Sequence, residues 1–170
     1  TYYLEVSNRG EYGSLGQYTV TISGVENLPL FSNPIALDSK PNAPVSVYLA
    51  FNGGFLPDGS PLLGSRAFGI GQRGFPAYDS DGDQFTFSQT ELDEMTQIWA
   101  RVAEDFAPFD VNVTTVRPPN LNDREAMQII IGGDGDIYGD PTSPGVSLLN
   151  AFSVSQSPNI GLTFAQNIQQ

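Results

Sequence analysis

Residues Phe87 to Thr115, FSQTELDEMTQIWARVAEDFAPFDVNVTT, narrow the folds open to this chain more than any other stretch. They encode an amphipathic helix, a hard stop and a buried strand with almost no chain between them. Ser88 followed three residues later by Glu91 forms a capping box, each side chain meeting an amide that the first helical turn leaves without a partner. Leu92, Met95, Trp99, Val102 and Phe106 then recur at helical spacing as one apolar stripe. Ile98 and Ala103 flank the stripe, and Asp93, Glu94, Gln97, Arg101 and Glu104 fall on the other side. Pro108 lacks an amide hydrogen and disfavours helix at Ala107, so the helix is predicted to stop near Phe106. Asp110 to Val116 follows with period two and β-branched residues, the pattern of a strand. A long helix feeding directly into a strand implies an α/β or α+β layer, helix on sheet.

The 170 residues are 39% hydrophobic, enough for a core in such a layer. Nineteen acidic residues against seven basic ones give a net charge of −12, with Lys40 the single lysine. That balance repels phosphate backbones and argues against nucleic-acid binding. It fits either simple solubility or attraction for divalent cations. No apolar run approaches the ~18 residues of a membrane span. With no cysteine, the chain has no disulfide, no cysteine nucleophile and no thiolate metal site. The start, TYYLEV, reads as a strand entered midway rather than a signal peptide, so the true N-terminus is expected upstream.

Three segments follow from the pattern of turns. Residues 1–24 read as a β-hairpin, with Tyr2–Val6 and Gln17–Ile22 alternating around a loop holding Gly10, Gly13 and Gly16. One hairpin buries too little surface to stand alone. Residues 25–44 carry four prolines and little periodicity, the composition of a linker. From residue 45 to 170 the predicted order is strand, helix, four strands. The strands are Val45–Phe51, Asp110–Val116, Met127–Ile131, Val146–Phe152 and Ile160–Ala165, a mixed sheet of about five with one long helix. Met127–Ile131 is apolar on both faces and is placed in the sheet interior. The Gly-rich stretch from Asn52 to Asp83 is read as a long loop.

Two resemblances rest on particular words of the sequence. YYLEVSNRGEYGSLGQYTVTISG is similar to the last strands of the bacterial pre-peptidase C-terminal domain, a small β-sandwich of secreted proteins. IWARVAEDFAPFDVNVTT, from Ile98 to Thr115, with the opening VYLAFNGG, resembles the N-terminal half of secreted bacterial metzincin-type, matrixin-like zinc peptidases. That resemblance covers residues 45–166 and implies a strand, a long helix and four strands, followed by the active-site helix. In the family the motif H-E-x-x-H-x-x-G-x-x-H lies on that helix, two histidines holding zinc while the glutamate polarises the bound water. This chain has no histidine, so the resemblance implies a catalytic zinc in a parent protein whose ligands lie outside these residues, and no catalytic residue within them.

The candidate sites follow from carboxylate spacing and from the resemblance. Asp79, Asp81 and Asp83 stand two apart, the spacing that wraps oxygen ligands around calcium. An EF-hand pattern fails, because Gln84 replaces the sixth-position glycine and Thr90 the twelfth-position glutamate, and a hydrated turn is the plainer reading. Asp134, Asp136 and Asp140 lie in a second acidic, glycine-rich loop, where the resemblance implies structural calcium. Asn150 in Leu148–Phe152 stands where that family has a histidine, which argues against structural zinc. The resemblance also makes Gly145, Val146, Ser147 and Leu148 an edge strand that pairs with extended peptide substrate. Glu104 and Asp105 sit in the last helical turn, where the macrodipole disfavours negative charge. Arg101, three and four residues back, offsets part of this, and a cation or second arginine could do the rest, although two solvated carboxylates are the plainer reading.

The expected function is that of one part of a secreted or cell-surface bacterial zinc peptidase, inactive alone and prone to self-association through an uncovered apolar face. One alternative is a non-catalytic, calcium-stabilised surface binding or adhesion protein with a metzincin-like shell. Another is glycan binding by Phe55, Phe68, Phe75 and Tyr78.

Overall fold

The structure, a computed structural model, describes residues 35–56, 73–83, 86–153 and 158–168. The expected hairpin 1–24, the first part of the linker and Phe68 lie outside the described residues.

The elements are β1 (Val45–Ala50), β2 (Gly54–Leu56), β3 (Arg73–Phe75), α1 (Gln89–Asp105), β4 (Val111–Thr114), β5 (Ala126–Ile131), β6 (Gly145–Ser147), β7 (Ile160–Thr163) and α2 (Ala165–Ile168). They form a mixed α+β fold, with a five-stranded sheet in the order β4-β1-β5-β7-β6. β1 runs parallel to β4 and β5, β7 runs parallel to β5, and β6 alone is antiparallel to its neighbour. The alternation in VSVYLAF sorts β1 between two cores. Tyr48 and Ala50 join Ile130, Leu162, Leu56 and Phe75 on one face, and Leu49 joins Met95, Val113 and Ile131 on the other.

The helix begins as its sequence dictates. The Ser88 side chain accepts from the Glu91 amide, and the Glu91 carboxylate accepts from the Ser88 amide at 2.8 Å. Leu92, Trp99, Val102 and Phe106 pack on the core that holds Met95. The Trp99 indole donates to the Val113 carbonyl at 2.9 Å, tying the helix to β4. At the other end, Lys40 Nζ donates to the Ala107 carbonyl at 2.7 Å and also to that of Phe109. The single lysine thus ties its own stretch to the chain just past the helix end.

Three elements differ from the expected pattern. The strand expected over Val146–Phe152 begins at Gly145 and stops at Ser147. Asn150 then takes a left-handed φ of 63°, and Ala151–Ser153 forms a 3-10 turn. Leu149 is 95% exposed, so the apolar run there does not mark continued pairing. The last strand ends at Thr163, and Ala165 instead opens α2. Within the long loop, β2 and β3 pair as a small antiparallel sheet over the first core. Three-residue strands are too short to show a period in sequence.

Beside α1, the sheet face formed by Val47, Leu49, Met127, Ile129 and Ile131 lines an open groove of about 880 Å³. Ile98 and Val102 wall it on the helix side, and Ala165 and Ile168 of α2 on the other.

Candidate functional site

Two features of the fold carry chemistry, an acidic cluster at the start of α1 and the free edge at β6. The cluster is positioned by the chain from Pro76 to Asp83 as it crosses the sheet. A Cβ on Gly132 would lie 2.5 Å from the Pro76 carbonyl and 2.7 Å from that of Ala77, so this stretch passes flush over the end of β5. Tyr78 is then fixed by its amide, which donates to the Phe51 carbonyl at 2.8 Å, and by an edge-to-face contact with the Phe51 ring. Asp79 follows directly, 7% exposed, and faces Glu91, which is fully buried at 0% exposure.

Carboxylate oxygens of Asp79, Asp81 and Glu91 all lie within 4.8 Å of one another. Among the described residues this is the one such group of three acidic or metal-ligating side chains. Each carboxylate is held by donors. Asp79 Oδ1 accepts from the amides of Asp81 and Gly82, at 3.1 and 2.6 Å, and Asp81 Oδ1 accepts from the Asp83 amide at 2.9 Å. Glu91 Oε1 accepts from the Ser80 amide at 2.9 Å, while its Oε2 serves the capping box. Next to them, Glu94 Oε2 accepts from the Tyr78 hydroxyl at 2.8 Å and the Ser80 hydroxyl at 2.9 Å.

Two like charges about 4 Å apart near a protein surface repel by roughly 4 kcal/mol, and a hydrogen bond to a charged group returns about 1.5–3 kcal/mol. The donors and the helix N-terminus therefore offset much of the repulsion within the triad, and a cation would offset the rest. Three carboxylates form a hard, all-oxygen donor set, which suits calcium, magnesium or manganese. They do not form a catalytic zinc centre of the expected kind, because the chain contains no histidine or cysteine. The triad can hold a metal ion whose identity its geometry leaves open.

Of the residues expected there, Asp79 and Asp81 come together, whereas Asp83 does not join them. Asp83 Oδ2 instead accepts from the Thr86 hydroxyl at 2.6 Å. The third member is Glu91, which the sequence marks only as part of the cap. Counted from Asp79 it is the thirteenth residue, one past the ligand position of a calcium loop, and that offset hides it.

The second acidic loop is arranged differently. Asp134 caps the 3-10 turn Gly135–Ile137 by accepting from the Asp136 amide at 3.0 Å. Asp136 is exposed, and Asp140 Oδ1 accepts from the hydroxyl and amide of Thr142. Those two bonds hold the Asp140 carboxyl below its ordinary pKa. No group of three carboxylates gathers in this loop among the described residues.

Gly145, Val146 and Ser147 form the edge strand, and Leu148 follows it. Phe164 donates to the Pro144 carbonyl, so by the alternation of an antiparallel ladder the backbone of Val146 faces β7 and that of Ser147 faces outward. Asn167 of α2 steadies the approach to this strand by donating to the carbonyls of Pro141 and Ser143.

The aromatic residues expected to bind glycan are not available as a platform. Phe75 and Tyr78 are each 4% exposed and belong to the cores, which leaves Phe55 exposed alone among those described. No helix among the described residues is long and apolar enough to cross a membrane. Comparisons with models of known protein families, with curated proteins and with solved structures find no match.

Proposed function

We propose that this chain is the substrate-holding part of a secreted bacterial zinc peptidase of the metzincin kind. The observation that carries this reading is the β6 edge, a short antiparallel strand at the rim of an otherwise parallel sheet, paired on one side only among the described residues. An extended peptide can add there as a further strand, bonding to the outward groups of Ser147. Within the five-stranded sheet the order from residue 45, β1, the helix α1, then β4 to β7 and the start of α2, supports the same reading, with the small pair β2 and β3 inserted before α1. The chemistry of that class is peptide-bond hydrolysis. These residues offer no ligand set for the zinc, so their share of the work is to bind and align the peptide.

Two measurements test it. The coding sequence beyond Gln170 should contain H-E-x-x-H-x-x-G-x-x-H on a helix. An extended peptide should also slow amide exchange at Ser147, and Ser147→Pro should abolish binding of that peptide. A downstream sequence without the motif, together with unchanged exchange at Ser147, overturns the reading.

The convergence of Asp79, Asp81 and Glu91 favours a second reading, a calcium-stabilised binding or adhesion protein of the cell surface. On this reading calcium fixes the 79–83 turn against α1 and no bond is cleaved. Calcium-dependent stabilisation with no downstream motif would select it.

A further inference from the structure

The two edges of the sheet are built differently. At β6 no further strand pairs among the described residues, whereas at β4 the stretch from Ile35 to Lys40 lies along the rim and forms an antiparallel bridge between Asp38 and Thr114. Outward backbone groups at Val113 of β4 and at Thr115 just after it are taken by this stretch. The Val113 carbonyl accepts from the Ser39 amide at 3.0 Å, and the Val113 amide donates to the Ser39 hydroxyl at 2.8 Å. The Thr115 amide donates to the Leu37 carbonyl at 3.0 Å. Side chains repeat the pattern. Asn112 accepts from the Lys40 amide and donates to Asp38, and the Thr115 hydroxyl accepts from the Leu37 amide and donates to the Ile35 carbonyl. Lys40 Nζ then closes the stretch onto the end of α1.

We propose that Ile35–Lys40 is an edge guard, a strap that occupies the hydrogen-bonding rim of β4 and so confines strand addition to β6. An unguarded parallel-sheet edge is a template for pairing with any extended chain, including another copy of this one. The strap meets backbone groups with side-chain oxygens as well as with its own backbone. It therefore fills the rim without offering a fresh, regular strand edge of its own. The statement about peptide at β6 rests on the peptidase reading, while the guarding of β4 does not.

The test uses the full chain and site-resolved amide exchange at low salt. Ser39→Pro removes both the amide that serves the Val113 carbonyl and the hydroxyl that serves the Val113 amide. Exchange at Val113 and Thr115 should quicken by about tenfold or more, with Ile130 in the sheet interior unchanged. Thioflavin-positive assemblies should form in this variant and not in the parent chain. Lys40→Met, which loosens only the helix end, should leave Val113 protected. Should Ser39→Pro fail to fold, Ser39→Ala removes the hydroxyl alone and should expose Val113 but not Thr115. Unchanged exchange at Val113, equal acceleration at Ile130, or no gain in assembly would each overturn the guard. An added peptide that protects Ser147 and leaves Val113 untouched in the parent supports confinement to β6. Further protection at Val113 by that peptide overturns it. Failure of the peptide to bind at all counts against the peptidase reading, which the missing downstream motif would then overturn, and leaves the exchange result at β4 standing.

Discussion

Glu91 does two jobs with one carboxylate. It closes the cap of α1 through Ser88 and stands within ligand distance of Asp79 and Asp81. The first job predicts that Ser88→Ala costs about 1 kcal/mol, the usual loss for an N-cap, seen as a fall of about 2–4 °C in Tm. The second predicts that calcium raises the Tm of the parent chain and not that of Asp79→Asn. The asparagine amide keeps an oxygen for the Asp81 and Gly82 amides, so that variant tests charge rather than the turn. At a hundredfold excess over its dissociation constant, calcium should add about 2.7 kcal/mol. Equal Tm with and without calcium in both chains would remove calcium as the ion of this site. Asp140 makes a separate prediction. Its folded pKa lies below the ordinary 3.8 because of Thr142, so the stabilisation is whole above that value and is lost as pH falls through the lowered one. Carboxyl NMR should give Asp140 a midpoint below that of ordinary aspartates, and Thr142→Val should raise it.

At the scale of elements, legibility in the sequence tracks how local the physics is. The capping box, the stripe and the proline stop all lie within one stretch of chain, and α1 is readable almost to the residue. β1 and β5 are readable because alternation or a doubly apolar run spans six residues in each. β6 is three residues long, and Leu149 shortly after it turns outward instead of pairing. The strap on β4 leaves no local sign. Lys40 and Asn112 are 72 residues apart, and serine, aspartate and proline between hydrophobic segments read as linker whether or not they dock. Glu91 escapes sequence reading for a related reason, since a capping box already accounts for it. The helix end shows what the strap contributes. Removing the Lys40 ammonium leaves the Ala107 and Phe109 carbonyls without that donor, so Lys40→Met should cost about 1 kcal/mol. Lys40→Arg should recover most of it in a thermal melt. A methionine variant as stable as the parent would mean that solvent screens the contact.

For the whole molecule, two opposed quantities decide behaviour in solution. The groove beside α1 leaves Ile98, Val102, Met127 and Ile129 only partly covered, although the stripe on the helix reads as core. Burying such surface is worth about 25 cal/mol per Å², which favours association of any two copies that can cover it. Against this stands a net charge of −12 on each chain. Charge repulsion acts over a Debye length of about 10 Å at 0.1 M salt and about 3 Å at 1 M, whereas apolar attraction does not weaken with salt. The balance should therefore tip with ionic strength. Sedimentation should find mostly monomer at low salt and a rising average mass towards about 1 M sodium chloride. Ile98→Glu, which sets a charge in the groove wall, should suppress that rise and reduce binding of an apolar dye, while Val113 at the guarded edge stays protected from exchange. A monomer at every salt concentration, or association that Ile98→Glu leaves unchanged, would mean that this groove is not the adhesive surface.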